Sequence, residues 1–195
     1  RTGNHYYYQD RKFKIKLNTK NVYSKGMFEN VCLAIKVALD LNIDKKVIQK
    51  ALPFLSFEGR FQYLNKGKIK NKLNKNELIM IDGAHATADA QNLASYLKKI
   101  KIPKYGIWAM TKNKDPDLFI KQLKGVFKKI ITMPIDNEVN SVSAQELCKV
   151  ATENKLSVEK SDNFAQALKK ISSKEKKLIV CFGSLYNCGN ILNKN

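Results

Sequence analysis

The chain has 195 residues, of which 44% are apolar, with 36 basic against 17 acidic side chains and a net charge of +19. That length and composition describe a globular protein able to bury a real core. No run approaches the ~18–20 consecutive apolar residues of a membrane span, and the opening residues lack the apolar stretch and small-residue cleavage site of a secretory signal.

The charge invites a nucleic-acid reading, because clustered cations release phosphate counterions. The cations, however, are 33 lysines and only three arginines, Arg1, Arg11 and Arg60, whereas phosphate and groove recognition favours the planar fork of arginine. The lysines are scattered and accompanied by 19 asparagines. This pattern fits drift in an A+T-rich coding sequence, and a nucleic-acid partner is not expected. Cys32, Cys148, Cys181 and Cys188 form no CxxC pair and are expected to be reduced, in a cytoplasmic protein. With His5 and His85 the only histidines, no metal site is expected. The first residue is Arg1 and the first methionine is Met27, so the sequence is expected to be a fragment, a processed product or the tail of a longer reading frame.

In chain order, Phe13 to Leu17 alternates apolar and basic residues, the period of a half-exposed edge strand. Met27, Val31, Ala34, Ile35, Ala38 and Leu41 follow helical spacing. Asp44 then suits the N-cap of a second short helix running to Leu52, before Pro53. Phe61 to Leu64, a turn around Lys66-Gly67, and Ile69 to Leu73 predict a hairpin. Beyond it, short apolar runs at Leu78 to Ile81, Tyr105 to Ala109, Lys129 to Met133 and Leu178 to Phe182 predict strands. These alternate with helices over 87–100, 116–126, 143–154, 163–172 and 184–192. Ser143 with Glu146 makes a capping box, and Pro116 suits a first helical turn. The alternation predicts an α/β fold with a Rossmann-like, mostly parallel sheet and flanking helices. The best boundary lies at Glu58-Gly59-Arg60, giving domains 1–58 and 59–195.

In such a sheet, ligands bind beyond the carboxyl ends of the strands. The run Leu78-Ile79-Met80-Ile81-Asp82-Gly83-Ala84-His85 ends an apolar strand on a carboxylate, a glycine and an imidazole. Asp82 there could accept hydrogen bonds from sugar hydroxyls or hold a cation, and Gly83 could admit a ligand close to the backbone. The same spacing also fits Asp82 as a helix cap and His85 as a solvated first-turn residue.

Four segments in order, Gly59-Arg60-Phe61-Gln62, Ile81-Asp82-Gly83-Ala84-His85, Met110-Thr111-Lys112-Asn113-Lys114-Asp115 and Phe182-Gly183-Ser184-Leu185-Tyr186, resemble the C-terminal portion of folylpolyglutamate synthase/dihydrofolate synthase, of the Mur ligase superfamily. The resemblance implies a Mur ligase C-terminal domain preceded by a remnant of the ATPase domain. It also implies ATP-dependent ligation of glutamate to folate or dihydropteroate through an acyl phosphate, with magnesium held in the ATPase half. By the same resemblance Asn30 reads adenine, Arg60 reaches the ribose and phosphates, and Asp82 holds the ribose. His85 takes a catalytic position near the phosphates or the substrate. Asn30 could alternatively cap its helix, Met110 to Asp115 could be a substrate-side loop or a helix cap, and Gly183-Ser184 fits a tight strand-to-helix turn.

The chain departs from the family pattern at Ala86, where Asn is usual, at Glu58, where Pro is frequent, and at Met27-Phe28-Glu29, where a His-Gln pair is common. No Gly-x-x-x-x-Gly-Lys-[Ser/Thr] phosphate loop occurs, and the magnesium ligands have no counterpart. The isolated chain is therefore expected to be a poor catalyst or none, with the ATPase half encoded upstream or supplied in trans. The competing readings are a Mur-type peptidoglycan ligase fragment, and a noncatalytic remnant or basic nucleic-acid-binding module.

Overall fold

The computed structural model describes residues 6–195; His5 and Arg1 lie outside the described residues. The chain divides into two compact units, 1–57 and 58–195.

In the first unit, β1 (Tyr7–Gln9) pairs antiparallel with β2 (Lys14–Lys16). Asp10 shapes the turn between them by accepting from Lys12 N and Phe13 N at 2.8 and 2.7 Å. Helix α1 (Lys25–Asp40) is capped by Ser24, whose Oγ accepts from Met27 N at 3.2 Å. It buries Met27, Val31 and Ile35, one stripe at helical spacing. Asp44 caps α2 (Lys45–Ala51), which runs into a single 3₁₀ turn, Leu52–Phe54.

The second unit is built on a six-stranded sheet of order β3-β4-β8-β5-β6-β7. Its strands are β3 (Gln62–Tyr63), β4 (Glu77–Asp82), β5 (Lys104–Trp108), β6 (Lys129–Thr132), β7 (Val158–Lys160) and β8 (Lys177–Phe182). All pairings are parallel except β3 with β4. The helices are α3 (Lys68–Lys72), α4 (Thr87–Leu97), α5 (Pro116–Lys121), α6 (Ala144–Glu153), α7 (Phe164–Ile171) and α8 (Leu185–Asn193). Odd-numbered strand residues such as Ile79, Ile107 and Cys181 pack under α3, α7 and α8 through Ile69, Phe164 and Ile191. Even-numbered ones meet α4 to α6, where Trp108, Phe119 and Phe182 stack with centroids 6.1–6.4 Å apart. Burial on both faces is why these strands read as continuous apolar runs.

The predicted hairpin is corrected. Residues 68–72 form helix α3, and the partner of β3 is β4, with Gln62 opposite Ile81. The Lys-Ile-Lys-Asn-Lys pattern fits either period. Gly67 at φ +104° turns the chain, and Asn195 supplies the missing N-terminal acceptor through Oδ1 to Ile69 N at 3.1 Å. Strand β7 was not expected, because it is an edge strand whose Val158 is only half-buried and whose Glu159 and Lys160 are exposed. The capping box at Ser143/Glu146 and Pro116 in the first turn of α5 stand as read from the sequence.

At the amino end of the parallel sheet, β4 and β8 each begin one residue earlier than their apolar runs. Glu77 and Lys177 sit opposite each other in register, 0% and 1% exposed. Lys177 Nζ donates to Ile171 O at 2.7 Å and Ser173 Oγ at 2.5 Å, and lies 3.7 Å from Glu77 Oε1. Glu77 in turn accepts from Asn74 N and Ser173 N at 3.0 and 2.8 Å. This network fastens the loops at the end of the sheet opposite the strand-end site.

Candidate functional site

The helix following β4 lies on one face of the sheet and the helix following the adjacent β8 on the other. The loops at the carboxyl ends of β4 and β8 therefore diverge at a topological switch point, where doubly wound sheets place their ligands. Asp82, the last residue of β4, is 1% exposed. Its Oδ2 accepts from Phe61 N and its Oδ1 from Ala84 N, both at 2.8 Å. Gly83 N donates to Gly59 O at 2.6 Å, and Gly59 N donates to Gln62 Oε1 at 2.8 Å. Four hydrogen bonds thus knit the Gly59-Arg60-Phe61-Gln62 turn and bind it to the loop after β4. The turn needs that support, because Phe61 is a non-glycine residue at φ +47°, a region that costs roughly 1–2 kcal/mol. Its buried ring meets Tyr96 edge-on with centroids 5.0 Å apart.

Arg60 is carried at the apex of this turn, half-buried, with Nη1 3.8 Å from Asp89 Oδ2 in the first turn of α4. Asp89 also accepts from His85 N at 3.4 Å. His85 Nδ1 donates to Gly83 O at 2.8 Å. A carbonyl can only accept, so Nδ1 carries a proton, and in the neutral ring Nε2 is the acceptor. Burial pushes the Asp82 carboxyl up to about 6, against the lowering effect of the Phe61 and Ala84 N–H groups and of Arg60.

The structure therefore brings Arg60, Asp82 and His85 together. Asn30 belongs to the first unit, exposed on α1 and lining an apolar cavity of about 330 Å³ between α1 and α2. It does not cap α1, since Ser24 does. Asp82 is not a helix cap either; Ala86 holds that place with no side-chain bond. The expectation that Gly83 leaves room for a ligand is corrected, because a Cβ there would come within 2.2 Å of Leu185 Cδ2. The glycine lets α8 pack against the loop.

Asp115 caps α5 by accepting from Leu118 N at 2.9 Å, the cap alternative for that loop. Gly183, at φ +105°, makes the tight turn expected, and a Cβ would meet Ala109 O at 2.3 Å. Gly183→Ala is expected to cost at least ~1–2 kcal/mol and to lower the melting temperature by roughly 2–8 °C; an unchanged melt by circular dichroism would contradict this packing. Asp89 was missed by sequence reasoning, although its position four residues after His85 was the available signal. Among the described residues no group of three or more His, Cys, Asp or Glu could hold a metal ion.

The family model of the dihydrofolate synthetase C-terminal domain matches residues 65–194. The chain belongs to this family. No curated protein matches. Among solved structures, Mycobacterium tuberculosis folylpolyglutamate synthase complexed with ADP and AMPPCP superposes with a TM-score of 0.76 at 17% identity, over 92% of this chain and 42% of that one. FolC of E. coli in complex with DHPP and ADP gives 0.74 at 17%, over 95% and 42%. Folylpolyglutamate synthase from Thermotoga maritima gives 0.65 at 22%, over 87% and 38%. At these identities the likeness shows the fold, and the chain spans about two-fifths of the length of the structures it matches. The dihydrofolate synthetase match covers the parallel strands and the loop with Asp82 and His85, and begins after the turn that carries Arg60.

Proposed function

We propose that the chain is the C-terminal portion of an ATP-dependent acid–amino-acid ligase that adds glutamate to a folate or dihydropteroate acceptor. Residues 59–195 are its ligase domain and 1–58 the end of its ATPase domain. The observation that carries the reading is the clamp at the switch point, where four hydrogen bonds hold the turn that presents Arg60 and a fifth orients the His85 ring beside it. In this chemistry an acceptor carboxylate attacks the terminal phosphorus of ATP and releases ADP. The glutamate amine then attacks the acyl carbon and releases phosphate, and catalysis is mostly positioning and charge neutralisation.

What supports the nucleotide reading is Arg60, Asp82 and His85 within the second unit and, separately, Asn30 within the first. Arg60 is held by a long 3.8 Å ion pair, so it can turn to phosphate, for which its fork suits it. Asp82 uses two of its roughly four acceptor directions on main-chain N–H groups and is 1% exposed, so ribose hydroxyls reach the others only where the 59–62 turn moves off it. The Asn30 amide borders an apolar cavity that suits a flat base with a polar edge. His85 Nε2 is placed to accept a proton or hydrogen bond near the reacting groups. In this reading magnesium is held by the ATPase half.

Calorimetry of the isolated chain with Mg-ATP tests this division of labour. With base and ribose contacts but only Arg60 to meet the triphosphate, binding is expected no tighter than about millimolar, ~4 kcal/mol. Micromolar binding would show that the phosphates are held by this chain itself.

A further inference from the structure

On the sheet face that carries α3, α7 and α8, a cavity of about 610 Å³ lies between α3 and α7. Its apolar wall is the open edge of the core. Ile69 and Phe164 belong to the buried cluster, while Leu73 and Leu168 pack against that cluster and stay half-exposed. The charged part of the lining is entirely cationic, with no Asp or Glu. Lys72 and Lys169 are exposed and make no hydrogen bond or ion pair among the described residues. Their neighbours on the same two helices are engaged, since Lys70 Nζ donates to Glu77 O at 2.8 Å and Lys170 Nζ to Lys160 O at 2.6 Å. Lys194, the third lysine of the lining, is taken by Asp136. The volume falls within the ~300–1,000 Å³ of small-molecule sites, which combine an apolar wall with a few polar groups.

We propose that this cavity binds a small amphipathic anion, an organic carboxylate or phosphate monoester whose apolar body covers Leu73 and Leu168 and whose head meets Lys72 and Lys169. The site shares no residue with the clamp that holds Arg60, and it does not depend on the ligase reading. Charge and apolar surface together select the occupant. A neutral apolar molecule leaves both ammonium groups without a counter-charge, and an inorganic anion leaves the apolar wall in water, where its burial would be favourable. A second copy of this chain would bring a net charge of +19 to a wall that is already cationic, and like charge opposes association.

The test is amide-correlation NMR of the full chain titrated with octanoate, octyl phosphate and, as the uncharged control, octanol. Saturable shifts are expected at the amides of Ile69, Leu73, Phe164 and Leu168, with at least one of the two anions binding about fivefold or more tighter than octanol, the yield of two exposed ion pairs. A preference for octanoate identifies the head as a carboxylate, and one for octyl phosphate identifies it as a phosphate. Lys72→Gln/Lys169→Gln is expected to bring the anions down to the octanol value, and Lys72→Glu/Lys169→Glu to weaken them further. Octanol binding is expected to be unchanged in both variants, which also reports that they are folded. No saturable shift, saturable shifts confined to another part of the chain, octanol binding as tight as both anions, or anion binding that survives the removal of both charges would overturn the proposal.

Discussion

Glu77→Ala is expected to lower the melting temperature of the chain by roughly 6–20 °C. Removing one partner of a buried pair typically costs about 3–5 kcal/mol, and each kcal/mol shifts the midpoint by roughly 2–4 °C in a protein of this size. Lys177, at 1% exposure, loses its carboxylate and is left with Ile171 O, Ser173 Oγ and the face of the Tyr105 ring, 4.7 Å from Nζ. The Asn74 and Ser173 N–H groups also lose their acceptor, although both residues are exposed and water can replace it. The double variant Glu77→Leu/Lys177→Met, which replaces the pair by apolar volume, is expected to recover much of the loss. A single-variant drop below about 2 °C would mean that the pair is hydrated in solution.

Asp82 gives the second large effect, and its sign is opposite to that of most carboxylates. Burial raises its carboxyl from 3.8 to about 6, so between those values the native state holds a proton that the unfolded chain has released. Stability from this group therefore falls as pH rises from about 4 to 6 and is flat above. The span corresponds to ~3 kcal/mol at 1.36 kcal/mol per pH unit. Comparing the wild type with Asp82→Asn isolates it, because other titrations cancel in the difference. The wild type is expected to gain relative to the variant by up to about 3 kcal/mol as pH drops from 7 to 4. At pH 7 the two are expected to differ by less than ~2 kcal/mol. Asparagine relieves the buried charge, but its single oxygen leaves one of the Phe61 and Ala84 N–H groups facing an amide N–H. A difference independent of pH, read by urea unfolding, would mean that Asp82 is solvated and the clamp is open.

How much of this was legible in the sequence depended on whether local signals decided the structure. The runs at Ile79, Ile107, Ile131 and Val180 read as strands because burial on both faces leaves no polar alternation to misread. Ser143 with Glu146 and Asp44 announced helix starts because capping chemistry is local. The partner of β3 was not legible, since Gln62 pairs with Ile81 across a sequence gap. A pattern of lysines with Ile69 between them also cannot tell a strand from the helix it forms. At the site, Arg60, Asp82 and His85 were singled out by residue type at a strand end or turn. The hydrogen bonds from Phe61 N to Asp82 and from Gly83 N to Gly59 O depend on tertiary approach, and they make Asp82 a buried clamp, which its place at a strand end does not announce. The Lys177–Glu77 pair was invisible for the same reason, because isolated charges at strand starts normally face solvent.

The measurement that bears most directly on the account is ATP-dependent incorporation of labelled glutamate into dihydropteroate and folate by this chain joined to, or mixed with, its phosphate-loop-bearing half. The wild type is expected to incorporate glutamate with matching release of ADP and phosphate. Asp82→Asn is expected to raise the ATP concentration needed by roughly tenfold to a hundredfold, the equivalent of a lost charge-assisted bond of ~1.5–3 kcal/mol, while the protein stays folded. Glutamate incorporation that does not consume ATP, or none in a reassembled protein that binds Mg-ATP, would contradict the assignment of this chain to an ATP-dependent ligase.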